Sequence, residues 1–122
     1  LVSNKALYDE ALKHANTDDP LTRQEISTLE SGYRIGKLLV YREVLRQAPA
    51  GFSAATKCFC TEHEWNVAQF VSRILGPKAL LDTHMSRGLA YAPAYTIMGG
   101  TSNIMRNILG ERCLGLDREP RV

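Results

Sequence analysis

The 122-residue sequence contains no apolar run long enough to cross a membrane: apolar-rich stretches such as Ile35–Val40, itself interrupted by Lys37, fall far short of the roughly 20 residues a helical span needs. Its first residues also lack the charged region and apolar core of a secretory signal. Runs of like charge are missing, and 15 Lys and Arg against 13 Asp and Glu leave a formal charge of +2. Without a basic patch there is no electrostatic footprint for DNA or RNA. Cysteine is scarce, and the three residues, Cys58, Cys60 and Cys113, form an odd set that suits reduced thiols better than a disulfide framework. A soluble, intracellular protein is the expectation. What the chain does have is 44% hydrophobic residues, enough to bury one core at this length. A single domain over residues 1–122 is therefore expected. The sequence opens without Met and inside a helix-like pattern, Leu1–Ala15, which fits a piece of a longer protein.

Hydrophobic spacing organises the chain into helices. Leu7, Leu12 and Ala15 stand among polar residues as the tail of a helix that ends before Asn16-Thr17-Asp18-Asp19-Pro20. Asp19 suits an N-cap with Pro20 in the first helical position, and the three- and four-residue spacing of Ile26, Leu29, Tyr33, Gly36, Lys37, Val40 and Val44 predicts a long helix from about Leu21 to Gln47. Ile35, Leu38, Leu39 and Leu45 add apolar positions elsewhere on it, as if its second half were covered on more than one face, in a bundle or at a subunit contact. Ala48-Pro49-Ala50-Gly51 breaks it. Val67, Phe70, Val71 and Ile74 predict a third helix from about Ser53 to Leu75, stopped by Gly76-Pro77. Lys78–Ala94 is less periodic, and Pro93 interrupts it, so a short helix followed by irregular chain is expected. After Gly99-Gly100, Thr101 or Ser102 can cap a last helix reaching about Leu114, with Ile104, Met105, Ile108 and Leu109 on one broad face. No alternating β pattern of useful length occurs. The fold class predicted is all-α, an antiparallel helical bundle of the four-helix up-and-down type.

The most informative local feature is Thr96-Ile97-Met98-Gly99-Gly100-Thr101-Ser102-Asn103. Two glycines before a helix start let a ligand approach the backbone, and free N–H groups, the positive end of the helix dipole and two hydroxyls suit a phosphate or a carbonyl oxygen. The same residues also make an ordinary capped turn, and spacing does not choose between the two. Cys58, Cys60 and His63 do not make a metal site, because side chains two apart on a helix diverge by about 200° and a closed site needs four ligands. Phe59, Trp65 and Phe70 are placed in the core by their spacing. His14, His63 and His84 show no catalytic arrangement. Arg106, Arg112, Arg118 and Arg121 are candidates for phosphate pairing or for ordinary pairing with Glu111, Asp117 and Glu119, with Arg106 nearest the capped turn.

The stretch Met98–Pro120 closely resembles the C-terminal signature of acyl-CoA dehydrogenases. Arg73-Ile74-Leu75-Gly76-Pro77 and Arg87-Gly88-Leu89-Ala90-Tyr91-Ala92-Pro93 resemble two further segments of that family, so the resemblance covers nearly the whole chain and corresponds to the family's last helical domain. It implies a flavoprotein oxidoreductase that inserts a trans double bond between the α and β carbons of an acyl-CoA thioester, as in fatty acid β-oxidation. In that chemistry a carboxylate removes the α proton while FAD takes the β hydrogen as hydride. The resemblance places Gly100 against substrate, and Thr101, Ser102 and Asn103 along the FAD, with Arg106 close by. Arg73 and Gly76 match in part a loop that reaches the flavin of a neighbouring subunit. An electron-transfer flavoprotein or similar acceptor, a homotetramer or heterotetramer, and a cytoplasmic (bacterial) or mitochondrial-matrix (eukaryotic) location are implied in the same way.

Two positions depart from the family pattern. Gly99 stands where many members carry the catalytic Glu, and glycine cannot abstract a proton. Other members supply the carboxylate from the preceding helix, at a point upstream of Leu1, and Glu10 lies too far along that helix to serve. Pro77-Lys78-Ala79 replaces further glycines and an amide. Three readings remain open: a wall of the flavin and thioester site in a dehydrogenase, inactive when isolated; a non-catalytic partner subunit of a hetero-oligomeric dehydrogenase; or a generic helical interaction module.

Overall fold

A computed structural model describes residues 4–81 and 83–118; the expectations that fall on Leu1, Glu119, Pro120 and Arg121 lie outside them. The elements are α1 (Lys5–Leu12), α2 (Pro20–Val44), α3 (Ser53–Leu75), α4 (Lys78–Leu81), α5 (Thr83–Tyr91), a 3₁₀ turn (Ala92–Thr96) and α6 (Ser102–Cys113). Among the described residues there is no strand, and the all-α expectation holds. No helix among them is long and apolar enough to cross a membrane.

Helix α2 begins as its sequence predicts. The Asp19 carboxylate accepts from the N–H groups of Leu21 and Thr22 at 3.3 and 3.0 Å and from the Thr22 hydroxyl at 2.7 Å, while Pro20 fills a position that needs no N–H. Bonding to Thr22 holds the Asp19 carboxyl below the usual carboxylate range. The other end differs from expectation, closing at Val44 rather than Gln47. Arg46 adopts a left-handed φ of 56°. Its N–H bonds Glu43 O at 2.9 Å and that of Gln47 bonds Arg42 O at 2.8 Å, the paired bonds that end a helix in a Schellman motif.

The three principal helices run up, down and up. Arg73 pairs with Glu25 and His63 faces Gly32, so α3 opposes α2. Asn4 bonds Glu64 while the Tyr8 ring packs at a tilt against Phe70, so α1 runs with α3. A Cβ at position 32 would fall 2.4 Å from the His63 ring, which is why α2 and α3 can approach so closely. Tyr8, Val67, Phe70 and Val71 are fully buried at the centre, joined by Leu7, Ala11, Leu29 and Met85. Each large apolar side chain buried there contributes about 1.5–3 kcal/mol of transfer free energy.

Among the described residues only α2 and α3 are long, at 25 and 23 residues, and no long helix stands where a four-helix bundle would have its fourth. Short segments take its place on α3, and the 78–94 region, expected to hold one short helix, forms α4, α5 and the 3₁₀ turn, with Ala79, Met85 and Ala92 buried. One expectation of burial is corrected. Trp65 lies on the outer side of α3, 39% exposed. Within the chain the second half of α2 packs chiefly on α3, which leaves Leu38 and Leu45 each 64% exposed and Val44 72%, so of the two coverings expected for it the bundle does not supply the second. Helix α6 buries no residue, and Ile104 is half exposed.

Candidate functional site

The two-glycine turn joins the 3₁₀ segment to α6. Met98 N–H bonds Ala94 O at 2.8 Å and closes the 3₁₀ turn, after which Gly99 and Gly100 carry the chain back with φ of 66° and 106°. Thr101 then returns to extended backbone and caps α6, its hydroxyl accepting from Ile104 N–H at 3.3 Å. The Ser102 hydroxyl points back to Thr96 O at 3.5 Å. Both hydroxyls proposed as ligand donors are thus engaged in shaping the turn. The N–H groups of Thr101, Ser102 and Asn103 find no acceptor among the described residues and remain at the positive end of the α6 dipole. Gly99, Thr101 and Asn103 are exposed, and Ile97, Met98 and Ile104 leave apolar surface beside them.

Helix α3 holds this turn from below. Lys57 Nζ donates to Gly100 O at 2.5 Å, and Cys58 Sγ approaches Ser102 O at 3.5 Å. Arg106, on the next turn of α6, pairs with Glu62 at 2.5 Å. Lys57, Cys58 and Glu62 are separated from these partners by 43 or 44 residues, and no local pattern marked them as site residues. Burial, more than the nearby Glu62 carboxylate, raises the Cys58 thiol above its ordinary value, so it stays protonated at neutral pH.

The remaining site candidates separate into distinct regions. Arg73 is engaged by Glu25, and Gly76 closes α3 with φ of 55°. Arg73 stands sixteen residues along α3 from Lys57, about 24 Å at 1.5 Å per residue, so Arg73 and Gly76 are not part of the Gly99–Asn103 turn. Arg118 pairs with Glu111 at 3.4 Å. Glu10 pairs with Lys13 at 2.6 Å and His14 at 3.5 Å on the exposed side of α1. Cys58 faces α6 while Cys60 faces Gly36 of α2, so the two thiols lie on opposite sides of α3.

An apolar groove of about 360 Å³ runs between α2 and α3 and is lined by Lys5, Tyr33, Val40, Tyr41, Cys60 and His63. It continues past Val40 and Cys60 into a second hollow of about 400 Å³ that includes Lys57, Glu64 and Tyr95. Beneath it, Glu64 accepts from the Asn4 N–H at 2.9 Å. His63 packs edge-on against Tyr33 at 4.5 Å, and its Nε2 is buried without a hydrogen-bond partner among the described residues. Burial pushes the His63 pKa down, with Glu30 opposing.

A family model described as acyl-CoA dehydrogenase, C-terminal domain, matches residues 5–114. Among curated proteins, the acyl-CoA dehydrogenase IpdE1 of Mycobacterium tuberculosis (strain ATCC 25618 / H37Rv) is 29% identical over 125 aligned residues, which cover 94% of this chain and 32% of that protein. The chain therefore spans about a third of that relative's length. No solved structure gives a significant match.

Proposed function

The chain belongs to the acyl-CoA dehydrogenase family, and from that premise we propose that it is the C-terminal helical domain of an FAD-dependent enzyme that dehydrogenates an acyl-CoA thioester at its α and β carbons. The observation that supports this most is the Gly99–Asn103 turn, exposed, free of side-chain bulk at Gly99, and presenting unused N–H groups at the start of α6. Such donors fit the carbonyl and phosphate oxygens of a flavin or a thioester without any further charge. Gly100 faces substrate in this reading, and Thr101, Ser102 and Asn103 line the cofactor. When bound, FAD supplies the hydride acceptor.

Gly99 brings no base, so a carboxylate for the α proton comes from another segment of the longer protein. Arg73 and Gly76, at the far end of α3, then serve the flavin of a neighbouring subunit, which requires an oligomer. The uncovered apolar side of α2 supplies surface for such an assembly. Residues 1–122 alone are inactive. An electron-transfer flavoprotein or similar carrier collects the electrons.

The test is to purify the longer protein and the isolated chain side by side. The longer protein is expected to be yellow and to reduce an electron-accepting dye in the presence of an acyl-CoA, while residues 1–122 do neither. A folded, colourless longer protein overturns the proposal. A second reading, a non-catalytic subunit that assembles with an active homologue, is favoured by Gly99 and by Pro77. It predicts that dye reduction appears only after the homologue is added.

A further inference from the structure

We propose that Lys57 is the positioning residue of the two-glycine turn: its ammonium, carried on α3, fixes the Gly100 carbonyl and thereby sets the direction in which the first N–H groups of α6 point. The geometry stands independently of the functional reading, whereas its consequence for catalysis rests on that reading.

Two consecutive glycines leave a chain with more accessible backbone conformations than any other pair, so a Gly-Gly turn holds one shape only if something outside it selects that shape. Around Gly100 the available restraints are unequal. The Ser102 hydroxyl lies 3.5 Å from Thr96 O, the outer limit of a useful contact, and Cys58 reaches Ser102 O with a thiol, an intrinsically weak donor. Lys57 to Gly100 O is 2.5 Å and charge-assisted, the stronger class of hydrogen bond. Among the described residues no carboxylate forms an ion pair with Lys57, which is half-buried. Its stem lies in the wall of the α2–α3 groove, on a 23-residue helix whose middle is the core of the molecule.

The consequence follows from the planarity of the peptide bond. In a trans peptide the C=O and the following N–H point in opposite directions. With Gly100 O directed at Lys57 on α3, Thr101 N–H must point away from α3, toward the open side of the turn. Release of the carbonyl allows the Gly100–Thr101 plane to rotate, and the N–H direction is lost with it. On the other side, a Cβ at Gly100 would stand 2.3 Å from Met105 Cε, so the turn is already seated closely on α6.

The experiment compares Lys57→Met, Lys57→Gln and Lys57→Arg with the unaltered chain by NMR. The readouts are the Gly100 carbonyl shift and the exchange protection of Ile104 and Met105, whose N–H groups bond Thr101. Lys57→Met and Lys57→Gln should move the carbonyl shift and lower that protection roughly tenfold, the factor expected from one lost hydrogen bond to a charged group. Lys57→Arg should restore both, and Val67 and Val71 should stay protected throughout. If Lys57→Met unfolds, Lys57→Gln carries the comparison. Unchanged shift and protection at Gly100, Ile104 and Met105 with a folded core overturn the proposal.

A second arm uses the longer protein with bound flavin. Lys57→Met should perturb the visible flavin spectrum and lower kcat more than it changes KM, and Lys57→Arg should reverse both. A yellow protein whose spectrum and kcat ignore Lys57→Met overturns the positioning role. If the unaltered longer protein is colourless, the functional reading fails, and the NMR arm still decides for or against Lys57 as the anchor of the turn.

Discussion

A Cβ at Gly99 would meet nothing within 4 Å, whereas one at Gly100 would collide with Met105 Cε. Both residues have positive φ, so any substitution strains the backbone by about 1–2 kcal/mol. Gly99→Glu should therefore fold with a loss of about 1 kcal/mol, while Gly100→Ala should lose about 2 kcal/mol, because its φ of 106° lies further from the left-handed helical well and Met105 must also turn its terminal methyl aside. Urea denaturation checks the order, and a larger loss for Gly99→Glu would contradict the geometry of the turn. His63 offers a second test at this scale. Burial lowers its folded pKa, so between the ordinary histidine value of about 6.5 and the depressed folded value the unfolded chain binds more protons. Stability should accordingly hold above that range and fall as the pH drops from 7 to 5. The carboxyls of Asp19 and Glu10, held low, lose their contribution only further down, below the usual carboxylate range. His63→Gln should flatten the dependence between pH 7 and 5, as followed by thermal melts at each pH.

The two ends of α2 show what was legible in the sequence and what was not. Asp19-Pro20 states its own cap in adjacent residues, and the structure bears it out. Arg46 gives no such signal, since the left-handed position that ends the helix is one where glycine is the usual occupant. Asp19→Ala should cost about 1 kcal/mol, and Arg46→Gly should gain about 0.5–1 kcal/mol by relieving the left-handed strain. Opposite signs in chemical denaturation are the check. The same contrast applies elsewhere. Thr101 as a cap and Ser53–Leu75 as a helix are local statements, readable from spacing. The tie from Lys57 to Gly100 spans 43 residues and exists only because α3 and the turn meet in space. Trp65 was misplaced because helical spacing cannot tell which side of a central helix is left without a neighbour.

For the molecule as a whole, Leu38, Tyr41 and Leu45 of α2 and Ile104 of α6 leave apolar side chains uncovered. Replacing Leu38 and Leu45 with Lys should leave folding stability within about 0.5 kcal/mol, because neither side chain packs in the core. It should shift sedimentation of the longer protein toward smaller species; an unchanged assembly would place the subunit contact elsewhere. The central claim is that this domain forms one wall of a flavin and thioester site. Its most direct test is an anaerobic titration of the purified longer protein with acyl-CoA thioesters, following the visible flavin absorption. Bleaching by a thioester, lost when the Gly99–Asn103 turn is deleted from a protein that still folds, is the predicted result. Equal bleaching with and without that turn would contradict it.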